Sequence, residues 1–232
     1  MTATWPAAAG HVTLTPNQVH VVRALLDVPA DDLARLAESL SADERARAAR
    51  FRLPCHQARA LATRGYLRAI LGRYTGLAPA SLRFAAGRHG KPYLVGPAGP
   101  AALRFNVAHS EQLLLVALAW NREVGVDVER ERDDRVDIEV ARRVLGEHVA
   151  EHLTTLSAPA RTHAFFALWT LHEAAVKGTG AGLGDDGDGA ARGGFSVREL
   201  EIDDGFAAAV AVQGGAEAIR CWTWTLPRTS TP

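Results

Sequence analysis

Six residues in the middle of the chain alternate valine with a small or acidic residue: Val124-Gly125-Val126-Asp127-Val128-Glu129. This alternation predicts a β-strand, because successive side chains of a strand point to opposite faces. We expect the three valines to face the core and the other three residues to share the opposite face. Two carboxylates would then project side by side, next to a glycine that leaves space above the backbone.

The segments that precede this strand predict one further strand and three helices. The run Gln112–Trp120 is apolar and of strand length, and Asn121-Arg122 has the character of a turn, so we expect a β-hairpin of Gln112–Trp120 with Glu123–Glu129. Helical spacing and caps predict helices over three ranges, Ala30–Leu40, Ala42–Phe51 and His56–Tyr74. Ser41 and Glu44 form a predicted capping box at the start of the second. The residues Gly87–Pro92 form a predicted loop.

The segments that follow the strand alternate helices and strands irregularly. Helices are predicted between Ile138 and Thr155 and over Arg161–Lys177. A glycine-rich loop, Gly178–Gly194, leads to three predicted strands, Phe195–Ile202, Ala207–Val212 and Ile219–Leu226. This order favours an α+β fold over a doubly wound parallel sheet.

The predicted helix Arg161–Lys177 carries few polar residues in a largely apolar sequence. Trp169, Glu173 and Lys177 are spaced four apart, so they form one slanting stripe along it. If the face bearing Asp127 and Glu129 packs near this stripe, three carboxylates converge, which suits a hard divalent cation such as Mg²⁺. Lys177 and His109 would then neutralise phosphate charge. The combination predicts a metal and pyrophosphate site.

Each member of this set also has an ordinary interpretation. Glu173 and Lys177 have the spacing of a common helical ion pair. Asp127 and Glu129 are compatible with the solvated face of an edge strand, Trp169 with a core residue, and His109 with a structural histidine. The prediction of a site therefore rests on the combination rather than on any single residue.

The basic residues are almost all arginine. Of 26 Lys plus Arg, only Lys91 and Lys177 are lysine. A position that keeps lysine in such a chain is a candidate for a contact that needs a compact ammonium rather than a planar guanidinium.

Composition excludes several classes of function. Acidic and basic residues balance at 26 each, which gives no basis for binding nucleic acid or an anionic membrane. Cys55 and Cys221 lie far apart, outside any metal-ligand spacing, so neither a disulfide scaffold nor a zinc site is expected. No apolar run has the length of a spanning helix or the form of an export signal. We therefore expect a cytoplasmic protein that folds by itself.

Four sequence blocks carry a family resemblance over roughly residues 40–200. They are Arg50-Phe51 with Arg59-Ala60-Leu61; Gly90-Lys91-Pro92; Phe105–Ser110 with Val124–Glu129; and Leu168-Trp169, Glu173-Ala174, Lys177-Gly178 and Gly182-Leu183. The segment Phe195-Ser196-Val197-Arg198 adds to them. In these blocks and their order the chain resembles the 4′-phosphopantetheinyl transferase family, specifically the longer surfactin-synthetase-activating type. The third and fourth blocks are specific, whereas Gly-Lys-Pro alone is weak.

The resemblance implies two similar α+β halves, 1–120 and 121–232, with coenzyme A in the cleft between them. It implies that Mg²⁺, or alternatively Mn²⁺, is held by Asp127, Glu129 and Glu173. The positions that match coenzyme A contacts of the family are Arg47, Arg59, Lys91, Pro92, His109 and Lys177.

The implied reaction is attack by a serine of an apo acyl or peptidyl carrier protein on the pantetheine-side phosphorus of coenzyme A, with release of adenosine 3′,5′-bisphosphate. Glu173 is the candidate base, either directly or through a water on the metal, and Lys177 offsets phosphate charge. We expect a monomer. Two rival functions stay open at this point: a metal-dependent hydrolase of nucleotide pyrophosphates, and a relative that binds coenzyme A or a carrier protein without catalysis.

The sequence departs from the family pattern at three places. His172 replaces the usual lysine before the helix glutamate, Ala108 replaces a serine, and the loop before Phe195 is enlarged. In that loop Asp185–Asp188 lacks the alternating ligands of a calcium loop. The alternating glycines Gly178–Gly184 lack the spacing of a dinucleotide-binding fingerprint, so a Rossmann site is rejected.

Overall fold

Two similar assemblies of helices and sheet build the protein. The computed structural model describes residues 5–7, 13–87, 89–96, 103–180, 194–216 and 218–226. Most of the enlarged glycine-rich loop, residues 181–193 with the Asp185–Asp188 segment, lies outside these ranges.

The described residues of the first half form three α-helices and five strands. In chain order they are β1 (Gln18–Leu25), α1 (Ala30–Glu38), α2 (Ala42–Ala48), α3 (Pro54–Thr75), β2 (Arg83–Ala86), β3 (Pro92–Val95), β4 (Leu103–Ser110) and β5 (Leu113–Trp120). The predicted capping box of Ser41 and Glu44 is present at the start of α2, with both hydrogen bonds made. The long helix α3 has Pro54 in its first turn and ends at Gly76, whose φ of 74° lies in the left-handed region.

The second half repeats this plan. Its elements are β6 (Val124–Arg130), α4 (Ile138–Leu145), α5 (Glu147–Thr155), α6 (Ala158–Thr179), β7 (Phe195–Glu199), β8 (Phe206–Gln213) and β9 (Ala218–Thr223). Gly146, with φ of 105°, separates α4 from α5. The helix α6 begins before the predicted Arg161, because Pro159 occupies its first turn, where no backbone N–H is needed.

The strands form two main sheets and a separate hairpin. The first sheet has the order β4-β5-β1-β9, with β1 antiparallel to β5 and parallel to β9. The second sheet has the order β6-β8-β7, and within the described part of the chain β2 pairs only with β3. The order β4-β5-β1 in the first half matches β7-β8-β6 in the second, which explains the similarity of the halves.

The predicted hairpin between Gln112–Trp120 and Glu123–Glu129 is wrong. Strand β5 pairs with β4 on one edge and with β1 on the other, so neither edge is available to β6. The chain instead crosses to the second sheet, where β6 pairs with β8. The hairpin of this region is β4–β5, which turns at Glu111 with φ of 49°.

The two sheets pack on each other through their inner faces. Val124, Val126 and Val128 of β6 are buried in this core, as the alternation predicted, together with Val19 and Leu115 of the first sheet. The outer face of the first sheet is covered by α3 and that of the second by α6. The predicted α+β fold with two halves is confirmed. The division at residue 120 stays a prediction, and β9 of the second half adds a strand to the first sheet.

Candidate active site

Gly125 lets helix α6 lie directly on strand β6. A Cβ atom placed on Gly125 would be 2.0 Å from the carbonyl oxygen of Ala174 and 2.4 Å from the backbone nitrogen of Gly178. The neighbouring strand is equally small at this interface, because Ala209 and Ala211 are fully buried against Ala174. The space above the glycine is therefore filled by the helix backbone, which brings the side chains of α6 close to the strand.

Asp127 and Lys177 meet across this interface. The side chain of Asp127 is buried, at 1% exposure, and its Oδ1 accepts a hydrogen bond of 2.5 Å from Lys177 Nζ. Its Oδ2 is also buried and has no hydrogen-bond partner among the described residues. Burial raises the pKa of Asp127 to about 7; Lys177 opposes this shift, whereas Glu129 and Glu173 add to it. The solvated edge-strand interpretation is therefore wrong for Asp127.

Glu173 lies one turn before Lys177 on the same helix and is also buried. Its Oε1 has no hydrogen-bond partner within the described ranges. Burial raises the pKa of Glu173, Lys177 lowers it, and Glu129 raises it again. The ion pair that the structure shows for Lys177 runs to the strand carboxylate Asp127. Lys177 therefore does more than stabilise its own helix.

Glu129 lies at the open end of this group. Its Oε2 accepts a hydrogen bond of 3.0 Å from Ser110 Oγ, and the same hydroxyl accepts one from the backbone N–H of Arg130. Glu129 borders a hollow of about 370 Å³ that Trp169 also lines. The three predicted carboxylates thus lie along the β6–α6 interface and influence one another electrostatically. In the part of the chain that is described, however, no group of three or more His, Cys, Asp or Glu residues is arranged to hold a metal ion.

His109 projects from β4 on the other side of the cleft. Its side chain is exposed, yet it lines a cavity of about 270 Å³ together with Arg47, Arg64 and Pro92. The surrounding protein lowers the pKa of His109, and the positive charges of Lys177 and Arg59 lower it further. Three predicted coenzyme A contacts, Arg47, Pro92 and His109, are therefore brought to one cavity.

Arg59 is engaged elsewhere. Its Nε and one terminal nitrogen donate to the two carboxylate oxygens of Asp27, at 2.7 and 2.8 Å. A bidentate pair of this kind holds the guanidinium in a defined orientation. A contact between Arg59 and coenzyme A stays a prediction, and it requires the remaining donors or release from Asp27.

Lys91 is also bound to protein groups. Its Nζ donates to Glu123 Oε2 at 2.8 Å, to the carbonyl oxygen of Val124 at 3.0 Å and to that of Gly178 at 2.9 Å. These acceptors belong to the second half of the chain, whereas Lys91 lies just before β3 in the first half. A contact between Lys91 and coenzyme A stays a prediction.

Two residues of β4, Asn106 and Ser110, connect this strand to β6 at the site. They were not predicted as site residues from the sequence. The buried side-chain oxygen of Asn106 accepts a hydrogen bond of 2.9 Å from the backbone N–H of Val126, which joins β4 to β6. Ser110 joins the same two strands by donating a hydrogen bond to Glu129 Oε2. The signal for Asn106 is an amide between the apolar residues Phe105 and Val107, which must find a partner when buried.

The chain is similar over nearly its full length to a known enzyme. The chain is 35% identical to the 4′-phosphopantetheinyl transferase HetI of Nostoc sp. over 231 residues, which covers 94% of this chain and 98% of the relative. The chain belongs to the 4′-phosphopantetheinyl transferase superfamily. The predicted family is thereby confirmed.

Family models and further relatives agree with this membership. The 4′-phosphopantetheinyl transferase superfamily model matches residues 123–226, and the model of the 4′-phosphopantetheinyl transferase N-terminal region matches residues 28–121. A 4′-phosphopantetheinyl transferase of Bacillus subtilis is 29% identical over 178 residues, covering 74% of this chain and 75% of the relative. The transferase Sfp of Bacillus subtilis strain 168 is 27% identical over 117 residues, or 50% of each chain. The similarity to Sfp makes the surfactin-synthetase-activating type plausible.

Proposed function

We propose that this superfamily member transfers the 4′-phosphopantetheine group of coenzyme A to a serine of an apo acyl or peptidyl carrier protein. The serine oxygen forms a bond to the pantetheine-side phosphorus, the bond from that phosphorus to the bridging oxygen breaks, and adenosine 3′,5′-bisphosphate leaves. The observation that carries the proposal is the ion pair of the buried Asp127 with Lys177, next to the buried Glu173. This pair places carboxylates and an ammonium together, as metal and phosphate recognition requires.

Mg²⁺ or Mn²⁺ fits the chemistry of the proposed ligands. Asp127 Oδ2 and Glu173 Oε1 are buried carboxylate oxygens that no described residue donates to, and such oxygens are the donors that hard divalent cations prefer. Asp127, Glu129 and Glu173 would hold the ion. A bound cation supplies positive charge for the pyrophosphate oxygens and relieves the repulsion among the three carboxylates.

The protein groups then have separate tasks. Glu173 accepts the proton of the attacking serine at its carboxylate, and Lys177 offsets negative charge on the phosphates at its Nζ. The Lys177 side chain is 33% exposed although its ammonium pairs with Asp127, so it is accessible to a phosphate group. Positioning and charge neutralisation account for most of the catalysis in such a transfer.

The nucleotide part of coenzyme A is assigned to the cavity of Arg47, Pro92 and His109. Arg64 also lines this cavity and adds a cation that suits phosphate groups. The cavity lies near Lys177, because the charge of this lysine lowers the pKa of His109, which lines the cavity. Arg59 and Lys91 are kept as candidates for further contacts.

The rival functions have less support. The relatives named above are described as transferases, which disfavours a hydrolase or a binding protein without activity. Among the described residues, no helix combines the length and apolar character needed to span a membrane. A cytoplasmic location and a monomeric state are part of the proposal.

Mass spectrometry of apo-carrier proteins incubated with enzyme, coenzyme A and Mg²⁺ tests the function. We expect the carrier to gain one phosphopantetheine group and an equal amount of adenosine 3′,5′-bisphosphate to appear. Replacing the target serine of the carrier by alanine is the control and should prevent both. Cleavage of coenzyme A at the same rate without any carrier would instead support the hydrolase.

A further inference from the structure

The ammonium of Lys91 is surrounded by three acceptors, and an ammonium has three N–H donors. One acceptor is the carboxylate of Glu123 and the other two are the backbone carbonyls of Val124 and Gly178, all between 2.8 and 3.0 Å from Nζ. The side chain is 17% exposed. Every donor of Lys91 is therefore used within the protein.

The carbonyl of Gly178 explains why a cation is placed here. Helix α6 ends at Thr179, so Gly178 provides one of the last four carbonyls, which have no partner inside the helix. A cation at this end also interacts favourably with the helix dipole. Lys91 thus caps α6 from the other half of the protein. Glu123 helps to keep the lysine charged, since it raises the pKa that burial lowers.

The two carbonyls belong to the elements that carry the site. Val124 is the first residue of β6, three positions before Asp127, and Gly178 directly follows Lys177 on α6. At this point the helix and strand are in backbone contact, because a Cβ on Gly125 would be 2.4 Å from the nitrogen of Gly178. A single ammonium therefore joins the end of α6 to the start of β6 where little movement is tolerated.

We infer that Lys91 is a positioning residue for the transfer: it fixes the end of α6 on β6 and so holds Lys177 and Glu173 against Asp127. The kinetic part of this inference rests on the proposed function. Lysine suits the position because its donors diverge from one nitrogen, whereas a guanidinium presents its donors in one plane. This geometry gives a reason for one of the two lysines in a chain that otherwise uses arginine.

A direct contact of Lys91 with coenzyme A predicts different behaviour. A phosphate contact would need Lys91 to exchange at least one of its three acceptors for the ligand. Its loss would then mainly raise the KM for coenzyme A. The loss of a positioning residue should instead lower kcat, because the substrate still binds but meets a displaced Lys177.

Hydrogen exchange of Lys91→Met tests the structural part without any activity. We expect faster amide exchange at the end of α6, over residues 176–180, and near the start of β6, with the rest of the chain unchanged. Arg104→Gln is the matched control: Arg104 contacts the same carboxylate, Glu123, at 3.2 Å, but within the described ranges it forms no hydrogen bond or ion pair with α6. Unchanged exchange in Lys91→Met would overturn the inference.

Kinetics of the same variants test the positioning role. We expect Lys91→Met to lower kcat by about 10- to 100-fold with the KM for coenzyme A nearly unchanged. In a Lys177→Met background the further loss should be smaller than in the wild type, because one of the two residues that Lys91 positions is then missing. Arg104→Gln should keep the wild-type kcat.

Two kinetic results would contradict the inference: a raised KM for coenzyme A at normal kcat, or full additivity with Lys177→Met. If Lys91→Met does not fold, Lys91→Arg is judged by the same criteria. Wild-type protein that modifies no apo-carrier would refute the proposed function, whereas the exchange experiment would still decide whether Lys91 fixes α6.

Discussion

The long helices α3 and α6 occupy corresponding places in the two halves, yet they contact their sheets through different side chains. In the first half Leu67, Ile70 and Leu71 of α3 pack against Leu114 and other large residues of the sheet. In the second half the contact is made by small residues, Ala174 on the helix and Ala209, Ala211 and Gly125 on the strands. Large apolar residues build a core, whereas small residues bring the backbones together.

The close contact has a chemical consequence. It places Lys177 within 2.5 Å of a carboxylate on the strand and leaves two buried carboxylate oxygens without donors from the described residues. Such groups lower stability unless a ligand satisfies them. The first half therefore contributes stability and the cavity proposed for the nucleotide, whereas the second half holds the groups proposed to do chemistry.

Gly125→Ala should have the largest effect, because the added methyl group would lie 2.0 Å from the carbonyl oxygen of Ala174 and prevent the close contact of α6 with β6. We expect the variant to lose about 3 kcal/mol or more in free energy of unfolding and most of its transfer activity. Urea denaturation and the carrier assay measure the two effects. Gly87→Ala, where the nearest described atom is at 3.5 Å, is the control. A fully stable, active Gly125→Ala protein would show that the close contact is not required.

Leu71→Ala is the complementary change in the first half. Leu71 is fully buried between α3 and its sheet, so its truncation should lower the free energy of unfolding by about 3 kcal/mol. Below its unfolding temperature the variant should keep the kcat of the wild type, since the carboxylates lie in the other half. A large fall in kcat for the folded variant would argue against this separation of roles.

Lys177→Met should reduce kcat/KM by about 100-fold, the effect of losing one well-placed electrostatic stabiliser. Lys177→Arg should recover part of the activity, because a guanidinium keeps the charge but alters its shape and reach. Steady-state kinetics with saturating carrier protein measures both. Normal kcat/KM in Lys177→Met would remove the lysine from the mechanism.

A smaller effect is expected from His20, one of the buried titratable groups of the first half. His20 is fully buried on β1, bonds Tyr74 at 2.8 Å, and has its pKa lowered to about 4 by burial and by Arg220. In the unfolded chain His20 becomes protonated below pH 6.5, whereas in the folded protein it does so only near pH 4. The contribution of His20 to stability is therefore fully present above pH 6.5 and is lost as the pH falls towards 4.

Because of His20, we expect the free energy of unfolding to fall by about 2 kcal/mol between pH 7 and pH 5. Urea denaturation at both pH values, compared with His20→Gln, isolates it from the other histidines. An equal pH dependence in both proteins would mean that His20 is not responsible.

Local patterns in the sequence predicted much of this fold. The alternation of residues 124–129 identified which side chains of β6 face the core, and the spacing of Glu173 and Lys177 placed them on one helical face. The capping box at Ser41 was equally visible. These features depend on residues that are close together in the chain, so they can be recognised from the sequence.

Pairings over long distances were harder to predict. The turn character of Asn121-Arg122 suggested a hairpin, but both edges of β5 are occupied by β4 and β1, which no local pattern reveals. The three acceptors of Lys91 likewise come from positions 32 to 87 residues away. The scarcity of lysine marked the position as special without indicating what it contacts.

Asp127→Asn most directly tests the claim that the buried carboxylate of the second half lowers stability but is needed for function. Measured at limiting Mg²⁺, its transfer rate should fall by at least about 100-fold, because a neutral amide replaces a metal-binding carboxylate. Its melting temperature should stay equal or rise, since the variant no longer buries a carboxylate and Lys177, 33% exposed, can turn to solvent. A folded Asp127→Asn protein that transfers phosphopantetheine at the wild-type rate would contradict the account.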